Sequence, residues 1–453
     1  MIDDIKKIYT NTPDLVIKEI NIDKKRKIVV VFIETVSSSD RVNEYVLKGI
    51  SNYVLNKNKN EKIIYFIPSP KNILINKDEI PYYLNNSFTI IFSNFDADII
   101  AVETKADLDR NIEKSDVEAN IVGPKDSFTE NYQKNIGLIK KRIKDSSLKL
   151  EEFNIGNKTN TKLGLLYMDD RCNTDLLNKI KCKLKTIDLD FVIETENVRN
   201  FLIETNTLFP ILKISERPDI ITKGLIQGKY ALICDNSPDS ILMPSFIMEF
   251  INPIGDDYSK PRNVIVIKTL RIICLMISLF LPAIYIGLIN YNPESIPTTL
   301  LINFAIQRNG IPFPAIFEAF CILFSCEILK ESDIRFPSSY GSSVSILGAL
   351  ILGEAAVSAG LVSPIMIIVI AMTYISNLIF SDLNFKNAIR IWSYIILTFS
   401  SILGLFGVAC GIILFAIHLS SINFYGYSYI YPIIPFNKDR FINEVIEKNE
   451  AKQ

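Results

Sequence analysis

The chain has 453 residues, enough for two or three domains, and its 49 basic and 50 acidic residues leave a formal charge of −1. That balance gives no overall electrostatic pull toward nucleic acid. Seven cysteines (172, 182, 234, 274, 321, 326 and 410) show no CxxC spacing and His418 is the single histidine, so a structural zinc centre or a disulfide framework lacks its residues.

Lys, Asp, Glu and Asn crowd the first part of the chain, whereas Ile272 to Leu419 is dominated by Ile, Leu, Val, Phe and Ala. Two solvents are implied, with a water-soluble half fused to a membrane half. The opening MIDDIKKIYTNTPDLVIKEI has no apolar core before a small-residue cleavage site, so no secretory signal is read and the soluble half is expected in the cytoplasm.

In chain order, Lys27 to Thr35 predicts a strand and Arg41 to Leu55 a helix, with Val42, Tyr45, Val46, Ile50 and Val54 at helical spacing. Glu61 to Ile67 and Ser87 to Phe92 read as strands, the latter in a hairpin with Asp96 to Val102. The first α/β lobe occupies 1–110 and a polar linker 111–128. The linker ends in GPKDSFTE, where Gly123 and Pro124 break the chain and Ser127 or Thr129 offers a helix N-cap.

A second α/β lobe, 129–260, follows from a helix at 129–143, strands at 148–153 and 162–168, helices at 174–187 and 197–204, and strands at 230–235 and 240–243. Lys140, Lys141 and Arg142 read as the wet face of an amphipathic helix, and Asp169 and Asp170 as a solvated turn rather than metal ligands. No GxGxxG, GxxxxGK[ST] or GxSxG occurs, and no enzyme, cofactor site or metal site is read.

The membrane domain is expected over 261–420, as four to six segments with one re-entrant. Ile272 to Ile289 is an apolar run of about 18 residues, enough to span. Lys260, Arg262, Lys268 and Arg271 precede it, which keeps the N-terminal half cytoplasmic. Thr298 to Gln307 reads as an amphipathic surface segment. Pro312 to Leu329 is the return passage, with Glu318 about two turns deep and Glu327 a solvated end residue.

The stretch from Gly341 to Pro364, GSSVSILGALILGEAAVSAGLVSP, is apolar, rich in small residues and broken by Glu354. Its segment 344–357 is too short to span comfortably. Ser345 and its neighbours could line water or make close helix contacts, and both readings stay open. A span at 361–380 and one long helix at 391–417 follow. Gly348, Gly353, Gly407 and Gly411 are candidate packing glycines, and Glu318, Glu354, Ser345 and Arg390 candidate intramembrane or pore-side polar residues. Five spans would leave Lys438, Arg440 and Lys448 outside, against the charge rule; residues 421–453 read as an aromatic interfacial segment and polar tail.

Five stretches, GPKDSFTE at 123, PFPAIFEA at 312, SILGALILGEAAVSAGLVSP, NAIR at 387 and HLSSI at 418, together resemble the GerA family of spore germination proteins, specifically the A subunit of a nutrient germinant receptor. The resemblance implies two cytoplasmic α/β lobes before an all-α polytopic domain in the spore inner membrane. It also implies a transporter-like B subunit and a lipoprotein C subunit as partners, contact with membrane lipid, and self-association into a nutrient-gated ion channel. A non-conducting scaffold, or the related stage V sporulation paralogue, is the alternative expectation.

Overall fold

The computed structural model describes residues 2–23, 26–55, 62–106, 124–203, 207–252, 261–335 and 353–437. Two compact units divide the chain, one of Met1–Thr205 with Ile211–Ser245, the other of Asn206–Pro210 with Phe246–Gln453.

The first unit holds two antiparallel five-stranded sheets. In lobe 1, β1 (Leu15–Asn21), β2 (Lys27–Ile33), β3 (Asn72–Ile75), β4 (Phe88–Ser93) and β5 (Ile99–Glu103) lie in the order β1-β2-β4-β5-β3. Both faces of this sheet are covered. Val29, Val31, Ile33, Ile90 and Ala101 pack with Ile5, Ile80 and Leu84 on one side, while Ile28, Val30, Ile91, Ile100 and Val102 pack with Val46, Ile50 and Tyr53 on the other. Alternate residues thus enter opposite cores, which is why KIVVVFI reads as an unbroken apolar run.

The helix expected after β2 starts at Ser39–Arg41, widens to a π-helix over Val42–Leu47 and returns to α-helix over Lys48–Leu55. The run predicted as a strand at 61–67 is instead a 3-10 turn, Ile63–Phe66, whose Ile63 joins the core beneath Tyr53. The edge of the sheet is taken by β3.

Lobe 2 comprises β6 (Leu148–Ile155), β7 (Thr161–Met168), β8 (Lys213–Ser215), β9 (Tyr230–Cys234) and β10 (Ser240–Met243), in the order β6-β7-β9-β10-β8. Counted from each lobe's first strand, the two orders are identical. The helix after the linker is Tyr132–Arg142, capped by Asn131, whose side chain accepts from the Lys134 N–H; neither Ser127 nor Thr129 is the cap. Asx chemistry one residue before the helix suits an N-cap as well as a hydroxyl does.

The lobes meet along a polar seam. Lys140 is not on a wet face: its Nζ lies 2.7 and 2.5 Å from the two oxygens of Asp14, both side chains being buried. Thr35 donates to the same carboxylate at 2.6 Å. Buried Lys149 donates to the Ile8 carbonyl at 2.7 Å, and burial lowers its pKa from the ordinary lysine range. Arg142 pairs with Asp126.

The second unit is mainly helical among its described residues, with Ile247–Ile251, Pro261–Tyr291, Thr298–Arg308, Ala315–Arg335, Pro364–Leu378, Leu383–Leu403 and Leu405–Ser421, followed by a small hairpin of Asn423–Phe424 with Tyr427–Ser428. One of these, over Val264–Tyr291, is long and apolar enough to cross a bilayer. At 28 residues it extends about 42 Å. Pro282 lies inside it.

The single helix expected at 391–417 is two helices turning at Gly404, which has φ 64° and ψ −143°. Only glycine adopts that backbone without strain. Tyr291 covers the turn and donates its hydroxyl to the carbonyls of Ser401 at 2.6 Å and Ile402 at 3.0 Å.

Both the inward and the outward faces of this unit are apolar. Ala283, Ile286, Ala319, Met366, Ile370 and Ile396 form a buried core, yet Phe317, Phe320, Phe324 and Ile328 are exposed at helical spacing, as are Ile368, Met372 and Ile375. A helix apolar all round belongs in a core or a bilayer.

Candidate functional site

Two polar nodes stand about 13.5 Å apart along the Ala315–Arg335 helix. At the first, Glu318 is fully buried in the opening turn of Ala315–Arg335. Its Oε2 accepts both the backbone N–H of Ser363, at 2.9 Å, and the Ser363 hydroxyl, at 2.8 Å. Arg308, at the end of Thr298–Arg308, brings its Nη2 to 3.6 Å from Oε1, too far for a hydrogen bond. The hydroxyl of Tyr285, on the long helix, is buried within reach of Ser363 and Glu318. Helices distant in sequence therefore converge on one carboxylate.

At the second node, Glu327 is not a solvated end residue. Arg390 Nη1 lies 2.8 Å from its Oε2, and the Tyr394 hydroxyl donates to its Oε1 at 2.7 Å. Lys330 donates to Asn387 at 3.1 Å beside this pair. A carboxylate with an arginine and a tyrosine at bonding distance is neutralised where it sits, so its location near a bilayer carries less cost.

Ser345, Gly348 and Gly123 lie outside the described residues. Pro124 is half-buried and precedes the extended approach to the Tyr132–Arg142 helix. Glu354 is exposed on a short helical stretch, 353–358, and joins neither node; a Cβ added to Gly353 would meet nothing within 4 Å. Arg390 pairs with Glu327 and not with Glu354. Gly407 faces the Phe399 carbonyl, where an added Cβ would come within 2.1 Å, and Gly411 faces Ile396 at 3.0 Å, both across the Gly404 hairpin.

Sequence reasoning passed over Tyr285, Arg308, Ser363 and Tyr394. None forms a local motif, and only the spacing of lone polar residues in apolar runs marks them. Phe209 was also missed: it is buried against Phe385, Phe415, His418 and Tyr429, with ring centroids 5.8 to 6.2 Å apart.

In the first unit an open cleft of about 770 Å³ runs between β1 and β6, lined by Leu15, Ile17, Leu150, Glu152 and Phe153 among others. Asn11 partly closes it, accepting the Leu150 N–H at 3.1 Å. Asp169 and Asp170 are exposed, and no cluster able to hold a metal occurs among the described residues.

The chain combines a two-lobed α/β unit with an apolar helical unit in which one helix is long and apolar enough to cross a membrane. The family model for the Bacillus/Clostridium GerA spore germination protein matches residues 3–452. Spore germination protein KA of Bacillus subtilis (strain 168) is 32% identical over 441 residues, covering 95% of this chain and 81% of that protein. Spore germination protein XA of Bacillus anthracis is 35% identical over 72% of this chain and 66% of its own length. A crystal structure of the N-terminal domain of the A subunit of the Bacillus megaterium spore germinant receptor GerK3 aligns with 54% of this chain and 94% of its own, at 22% identity and a TM-score of 0.41. The chain belongs to the GerA family of spore germination proteins.

Proposed function

We propose that this chain is the A subunit of a nutrient germinant receptor in the spore inner membrane, assembling with itself and with B and C subunits into a nutrient-gated ion channel. Family membership across nearly the whole chain carries the receptor reading. The helix ends carry the topology. Lys268 and Arg271 sit at the start of the long helix, and Lys330, Lys386 and Arg390 gather at the Glu327 node. The far end holds Tyr291, Gly404 and Glu318.

Following those ends, Val264–Tyr291 rises, Ala315–Arg335 descends, Pro364–Leu378 descends from Ser363, and Leu383–Leu403 and Leu405–Ser421 form an up-and-down pair. We read the domain as crossing an even number of times, within the four to six segments expected from the sequence. An even count puts Lys438, Arg440 and Lys448 on the side of the N-terminal lobes, and the positive-inside rule makes that side the cytoplasm. The Gly404 hairpin adds a helix to the one expected over 391–417.

In this reading Glu354, on the 353–363 stretch, borders the conducting path and Ser345 is a further polar candidate by sequence, while Glu318 and Arg390 serve the helix framework. Potassium release from spores lacking the chain, restored by wild type but reduced several-fold by Glu354→Leu at equal protein level, is the expected result. Ion flux through the purified protein in liposomes tests conduction directly; none with nutrient and partner subunits present would support the non-conducting scaffold instead.

A further inference from the structure

We propose that Glu318 is a latch that fixes the end of the 353–363 stretch, and that loosening it frees the stretch bearing Glu354. The proposal rests on the channel reading above and adds a control element to it.

The short helix at 353–358 closes with Leu361 N–H donating to Ala356 O at 2.9 Å and Gly360 N–H to Val357 O at 3.0 Å. Gly360 has φ +65°, the left-handed conformation that ends a helix with such bonds. From there the loop passes Gly310, whose carbonyl would be 4.0 Å from a Cβ on Gly360. The stretch then ends at Ser363, the N-cap of Pro364–Leu378.

The N–H groups of Ala359, Gly360 and Leu361 are thus bonded back within the stretch. At its far end, Ser363 gives both of its bonds to Glu318, with the Tyr285 hydroxyl beside them. Both Ser363 and Glu318 are buried, so their two hydrogen bonds exchange with no water, and the carboxylate also sits at the positive end of a 15-residue helix.

The latch is lopsided. Oε2 makes both bonds to Ser363, whereas Oε1 makes none and faces the half-exposed Arg308 at 3.6 Å. Arg308 therefore reaches the node from the outer surface without gripping it. A displacement of the Thr298–Arg308 helix, which has no buried residue of its own, would change the charge felt by a group that holds the stretch in place.

Hydrogen exchange of the full chain in lipid nanodiscs tests the latch without reference to conduction. Charge-assisted bonds are about twice as strong as neutral ones, so Glu318→Gln, which keeps the volume, is expected to speed exchange of the 360–363 amides about fivefold to tenfold. Amides of 368–376 in the same sample report that the helix remains folded. Unchanged exchange at 360–363 would overturn the proposal.

Nutrient-free potassium release from spores is measured in parallel. Faster exchange with several-fold more release supports both latch and channel. Faster exchange with no change in release supports the latch and counts against the channel reading alone.

Discussion

The two lobes of the first unit share one strand order and one all-antiparallel pairing, yet they solve burial differently. Lobe 1 covers one face of its sheet with the short α-helices Ile2–Ile8 and Ile80–Asn85, and the other with a helix that contains a π segment and with a 3-10 turn; lobe 2 uses longer regular α-helices, among them Tyr132–Arg142 and Pro218–Ile226. Their first strands differ most. In β1 every residue is half-buried or exposed, whereas β6 opens with three buried residues because the arm leading into β1 lies over it. Strand order follows from alternation and hairpin closure, which both sequences supply. The state of an edge depends on what neighbours it, and only one lobe has its first edge covered.

The strongest way to break this relation is to unpair the seam. Asp14→Ala leaves the Lys140 ammonium buried without its counter-charge and is expected to cost about 3–5 kcal/mol, read as loss of hydrogen-exchange protection in β6 peptides. Replacing the pair together, Asp14→Leu with Lys140→Met, should recover most of it. Next come matched core deletions, Ile90→Ala in β4 and Leu165→Ala in β7. Both side chains are fully buried, and each should cost about 2–5 kcal/mol in denaturant titrations followed lobe by lobe. An Ile90 loss confined to lobe 1 peptides would show that the seam does not make the lobes one cooperative body.

Gly164→Ala should cost about 1–3 kcal/mol in lobe 2, since the new Cβ would lie 2.6 Å from the Tyr132 hydroxyl and 3.0 Å from Leu150. The smallest effect concerns Asp239. Burial first, then the nearby Glu216, Glu194 and Glu196, raise its pKa above the ordinary aspartate value. The folded lobe then binds a proton more readily than the unfolded chain, so stability falls as pH rises through that window and stays reduced above it. Asp239→Asn should therefore stabilise lobe 2 by about 0.5 kcal/mol at pH 7, a gain that vanishes near pH 4; melts at the two pH values check it.

Legibility in the sequence tracked length and locality. The β4–β5 hairpin, β2, β7, β9 and the amphipathic Thr174–Lys185 helix carry enough periodic residues to be read directly. β3 and β8, at four and three residues, are too short for any pattern, and β1 is a half-exposed edge in which Lys18 and Glu19 interrupt the alternation. The hairpin at Gly404 stayed hidden because a turn between two apolar helices has no polar marker beyond the glycine itself. Glu318 was legible as a buried carboxylate in an apolar run. Its Ser363 and Arg308 partners were not, because charge in a sequence says that a partner is needed and not which one.

Phe209 adds a matter of timing. The pocket that buries it is finished by Phe385, Phe415, His418 and Tyr429, the last of them 220 residues further on. At a synthesis rate of roughly 5–20 residues per second, that ring waits about 11–44 s before its enclosure exists. Until then a large apolar side chain lacks its enclosure, so the growing chain is most vulnerable to wrong association while the helices that supply that enclosure are still being made.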